Sequence, residues 1–133
     1  LTFRLWENNL ETQLIEKAFV YHKRRTSITQ FFKQTYGFGT ARPILNRKYP
    51  KTAKITFWFP SLFILGLDLS ILMAIFGCLT PLAIYYVYFI VLFIDSAFQN
   101  GFRVAFLSIL TTLTQFFGYG LGFLESQFYP KKK

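Results

Sequence analysis

The sequence predicts an α-helical membrane protein preceded by a small polar unit, and three observations carry that prediction. Three runs of about twenty apolar residues fill the second half of the 133-residue chain. Eleven of the fifteen lysines and arginines lie before Ile55. Between Leu1 and Lys23 the pattern is instead that of a short helix and two short strands.

The runs come first because they bound everything else. Residues 57–76 read "FWFPSLFILGLDLSILMAIF", with Asp68 as the one charge. Residues 79–98 read "LTPLAIYYVYFIVLFIDSAF", with Asp95 near the end, and residues 104–124, "VAFLSILTTLTQFFGYGLGFL", carry none. About twenty residues is what a helix needs to cross a hydrocarbon core. Helices are the default because every backbone polar group in lipid must be satisfied within the segment. Trp58, Tyr85, Tyr86, Tyr119 and Tyr129 include candidate interface anchors. An ionised Asp68 near mid-bilayer is costly, so it is expected to face another span. Gly118-x-x-x-Gly122 predicts close helix packing.

The charge is lopsided. Residues 1–54 hold eleven cations against Glu7, Glu11 and Glu16, and the tail ends in Lys131-Lys132-Lys133, within a net charge of +9. A basic block running into apolar spans is the pattern of a cytoplasmic juxtamembrane segment facing anionic lipid. Membrane lipids, not nucleic acid, are therefore the expected partner of these cations. Three successive crossings would then leave the tail lysines outside, against the positive-inside tendency. The larger amino-terminal block is expected to prevail, with Lys33 cytoplasmic and the tail non-cytoplasmic. Cys78 is the single cysteine, so no disulfide can form within the chain.

The first third divides into a polar unit, residues 1–25, and a helix with its connector, residues 26–54. In residues 2–8, Phe3, Leu5 and Trp6 give a short helix an apolar side, and Asn8-Asn9 ends it, Asn being tolerant of the left-handed conformation. Residues 10–16 and 19–23 read as two strands around Lys17-Ala18. Thr26-Ser27 offers an N-cap. An amphipathic helix follows, with Ile28, Phe31, Phe32 and Tyr36 on one face, suited equally to the membrane interface and to packing on a soluble core, and stopping at Gly37-Phe38-Gly39. "ARPILNRKYPKTAK", residues 41–54, is a basic connector. The membrane domain is residues 55–133.

These residues resemble the end of a membrane-bound bacterial family-2 glycosyltransferase. Leu1, Arg4 and Trp6 match a Leu-x-x-Arg-x-Trp-x-x-Gly helix, with Asn9 in place of the glycine. Val20-Tyr21-His22 matches a strand ending in Val-x-His, and "QFFGYGLGF", residues 115–123, is similar to the last span. The resemblance implies that residues 1–25 close a GT-A α/β catalytic domain, and that about two hundred further residues with the donor site and the catalytic base precede Leu1. It implies transfer of a sugar from a nucleotide-sugar to a lipid-linked, polysaccharide or other membrane-near acceptor, at the bacterial inner membrane with the catalytic side cytoplasmic. It implies a divalent cation, Mg or Mn, on the diphosphate, with His22 as a ligand. Gln30-Phe31-Phe32-Lys33-Gln34 has the spacing of a Gln-x-x-Arg-Trp motif near acceptor and diphosphate. Lys33 loses the bidentate fork of Arg, and Gln34 loses the stacking surface of Trp. Those two departures imply single-sugar transfer. Arg24 and Arg25 are further candidates for diphosphate, while Arg4 and Trp6 are expected to be structural. The competing expectation is a self-contained multi-span protein such as a transporter subunit.

Overall fold

The computed structural model describes residue 5, residues 8–11, 13–15 and 17–21, and residues 27–129. Four helices make up the described fold: α1 (Ile28–Lys48), α2 (Phe59–Ile75), α3 (Thr80–Asn100) and α4 (Phe102–Phe128). Two 3-10 turns, Pro50–Thr52 and Ile55–Trp58, join α1 to α2. The last three helices, the first taken with its 3-10 lead-in from Ile55, are long and apolar enough to cross a membrane. The chain is a multi-pass membrane protein.

Each boundary has a local cause. Ser27 caps α1, its Oγ accepting from the Gln30 N–H at 3.2 Å. Pro60 and Pro81 occupy first-turn positions of α2 and α3, where a missing N–H costs nothing. Gly77, at φ 87°, ends α2. Its N–H donates to the Ala74 carbonyl and the Cys78 N–H to the Met73 carbonyl, both at 3.0 Å, which satisfies the last turn. Gly101, at φ 85°, separates α3 from α4 alone, so the chain reverses there within one residue. The turn at Asn8-Asn9 is present as expected: Asn9 has φ 55° and the Leu10 N–H reaches back to the Leu5 carbonyl at 2.9 Å.

Three expectations are corrected. No strand occurs among the described residues, so the strand pair expected over 10–16 and 19–23 does not form there. Gly37-Phe38-Gly39 does not stop α1, which continues through Pro43 to Lys48. Asp68 does not face a neighbouring span but is exposed.

The reason α1 continues is its partner. Thr35, Gly39 and Pro43, four residues apart, are buried on α1, as are Thr114, Gly118, Gly122 and Ser126 on α4. A side-chain carbon at Gly39 would collide with the Tyr119 carbonyl, one at Gly122 with the Tyr36 carbonyl, and one at Gly118 with the Thr35 hydroxyl. The two backbones therefore meet directly, the small-residue seam familiar from membrane helices. The helices run in the same direction, since Thr35 lies against Gly118, Gly39 against Phe123, and Arg47 against Ser126 and Gln127. Arg47 Nη2 donates to the Ser126 and Gln127 carbonyls at 3.0 and 2.8 Å. The last turn of α4 has no basic residue of its own, so α1 provides the cation that its terminal carbonyls attract.

The opposite face of α4 receives α2. Ser61 Oγ donates to the Gly120 carbonyl at 3.2 Å, and Phe63 packs on Phe116 with ring centroids 4.2 Å apart. Trp58 sets its edge on Phe123 at 4.9 Å. Phe123 and Ile64 are the largest fully buried apolar side chains. The antiparallel α3–α4 pair is looser, tied by a hydrogen bond between the Ser96 and Ser108 hydroxyls at 2.9 Å and by Phe93 against Phe106.

Candidate functional site

Of the residues singled out from sequence, His22, Arg24, Arg25, Arg4 and Trp6 lie outside the described residues. Gln30, Lys33 and Gln34 lie in the first two turns of α1. Gln30 and Lys33 are exposed and Gln34 is half-buried. None of them borders the cavity that lies further along the helix.

A cavity opens further along the same helix. It holds about 430 Å³ where α1, the connector and α4 converge, and its walls include Phe38, Arg42, Leu45, Phe57, Gln115 and Tyr119. Local sequence accounts for its shape. Arg42 falls one turn after Phe38 and one before Asn46, so the three share a stripe of α1. The 3-10 turn Ile55–Trp58 then brings Phe57 over that stripe.

Arg42 is held on three sides. Its Nε donates to Asn46 Oδ1 at 3.0 Å and its Nη2 to the Thr52 carbonyl at 2.6 Å. Its guanidinium carbon stands 3.6 Å from the centroid of the Phe57 ring, a cation–π stack. A guanidinium fixed in this way presents positive charge in a constant orientation beside apolar walls. The chemistry it favours is capture of an anion that carries an apolar portion, a phosphate on a lipid stem being the simplest case. Gln115 is exposed and Tyr119 half-buried at the same cavity.

Sequence reasoning missed Arg42. It is one cation in a block of eleven, and what distinguishes it is the ring of Phe57, fifteen positions on. No group of three or more His, Cys, Asp or Glu that could hold a metal occurs among the described residues. A divalent cation therefore finds no ligand set in them, and a metal role for His22 rests on the resemblance alone. Set beside known protein families, curated proteins and solved structures, the chain matches none.

Proposed function

We propose that this chain forms the membrane end of a glycosyltransferase that passes a single sugar from a nucleotide-sugar to a lipid-linked or other membrane-near acceptor. The observation that carries the reading is the cavity around Arg42. It joins a fixed guanidinium to apolar walls at the point where the basic connector enters the apolar domain, and so matches an acceptor that is part phosphate and part hydrocarbon. Motif order supports the same reading, from Arg4 and Trp6 through Val20-x-His22 to the span at residues 115–123.

In this reading Arg42 binds and orients, holding the acceptor's charged group so that its reacting oxygen stays at the edge of the membrane. Orientation of that kind converts binding into rate by removing motions that the reaction would otherwise have to stop. Lys33 and the cations at Arg24 and Arg25 supply positive charge for a diphosphate. Gln34, without a ring to stack a sugar, leaves no platform for a growing polymer.

The test uses membranes from cells that produce the full gene product, supplied in turn with a panel of labelled nucleotide-sugars. Label should enter the lipid-extractable fraction above the level of control membranes. Arg42→Ala should lower transfer at limiting acceptor more than tenfold, and Arg42→Lys should recover little of it, because a point charge does not reproduce the fork. Absence of transfer from every donor would end this reading.

A further inference from the structure

The connector before α2 and the end of α4 lie together. Arg47, one residue before the close of α1, holds the carbonyls of Ser126 and Gln127, and Trp58, which leads into α2, packs on Phe123. If α2, α3 and α4 each crossed the bilayer once, the entry to α2 and the exit from α4 would stand on opposite faces. Contacts of under 5 Å across that distance are impossible. The number of complete crossings between Lys54 and Tyr129 is therefore even.

The aromatic cluster tells which helix departs from the expected three. Phe63 touches Phe116 at 4.2 Å, Tyr85 at 5.0 Å and Phe89 at 6.3 Å, so residues 85–89 of α3 stand level with Phe116 of α4. From that level α3 runs back to its start at Thr80 and α4 runs on to its end at Phe128, in the same sense, since the two helices are antiparallel. The start of α3 is thus at the connector end of the molecule. So is the start of α2, by Trp58 and Phe123. A helix with both ends at one end of an α3–α4 hairpin lies across it.

Charge agrees as well. Asp68, near the middle of α2, is exposed; at mid-bilayer and facing lipid it would be costly, whereas in the headgroup region it is solvated. We propose that α3 and α4 cross the membrane as a hairpin, that α2 lies in the leaflet nearest the connector without crossing, and that the connector and the carboxyl end of α4, which the three tail lysines follow in sequence, share one side. The two lysine-rich segments then fall on the same face and Arg103, beside the Gly101 reversal, is left near the other. That distribution obeys the positive-inside tendency, which three crossings would violate. The inference stands apart from the proposed activity.

The native Cys78, exposed in the turn between α2 and α3, is a ready reporter. Labelling with a membrane-impermeant maleimide, in intact cells and in inside-out vesicles, would be read for Cys78 in the parent chain. Lys51→Cys, Asn100→Cys and Tyr129→Cys would be read in a Cys78→Ser background, all three being exposed positions outside the packed seams. The expected result is that Lys51→Cys, Cys78 and Tyr129→Cys react from one side and Asn100→Cys from the other. Lys51→Cys and Tyr129→Cys reacting from opposite sides would overturn the even count. Cys78 reacting from the side opposite Lys51→Cys would overturn the assignment of α2.

Discussion

The α1–α4 seam and the α3–α4 pair differ in a way that reverses the usual expectation about apolar helices. α1 contains Arg42, Arg47 and Lys48, and yet it makes the closest backbone approach among the described helices. α3 is apolar along nearly its whole length, and Ser96 is its one buried residue. The difference teaches that in lipid apolarity directs a helix to the bilayer, not to its neighbour. Association there depends on how near two backbones can come and on which polar groups they share. Gly39, Gly118 and Gly122 allow that approach for α1. Between α3 and α4 the contacts are instead between rings, Phe93 standing against Phe102 and Phe106.

The comparison would be broken most visibly by filling the seam. Gly39→Leu and Gly122→Leu put side chains where backbone carbonyls stand, and backbone yields less readily than a flexible side chain. Each should lower stability by about 3 kcal/mol, the upper part of the range for overpacking. Denaturant titration in detergent micelles checks this, with α1 becoming the first segment open to protease. Retention of the parent midpoint by both variants would show that the seam is not closed in solution.

A smaller effect is expected from Arg47→Ala. It removes two hydrogen bonds to the last turn of α4, but the side chain is exposed and water replaces part of what is lost. About 1 kcal/mol is the expected loss, measured by the same titration. Ser96→Ala tests the looser pair: an interhelical hydroxyl bond in a membrane protein averages about 0.6 kcal/mol, and no larger change should appear. Gly37→Ala should move the other way. Nothing lies within 4 Å of the added carbon, and alanine is the better helix former, so stability should rise by about 0.5 kcal/mol. Two glycines separated by one residue would then respond with opposite signs.

That pair also shows what was legible in the sequence and what was not. The three apolar runs were readable because helices that lie in a bilayer must be long and apolar, whatever protein they belong to. Their observed bounds differ by only a few residues from those read off the chain. The Gly118-x-x-x-Gly122 spacing was readable as a packing face. Its partner was not, because Gly118 and Gly122 meet Thr35 and Tyr36, more than eighty positions earlier, in a helix whose composition gives no sign of docking. For the same reason Gly37-Phe38-Gly39 looked like a helix end. Glycine breaks an isolated helix, and only the presence of the Tyr119 carbonyl turns it into a requirement. Arg42 was hidden among like charges, whereas Lys33 was conspicuous through its spacing, yet the cavity formed around Arg42.

The seam between α1 and α4 constrains the order in which this end of the molecule assembles. A ribosome delivers α1 before α4, and Arg47 meets the Ser126 carbonyl across 79 residues of sequence. Until α4 is threaded into the bilayer, the Thr35, Gly39 and Pro43 stripe of α1 lacks the helix it packs on. Assembly of this end of the molecule is therefore postponed until α4 has been made. A chain interrupted anywhere before Gly118 would leave the ribosome with its connector and its Arg42 cavity unformed, however completely its earlier apolar helices had been inserted.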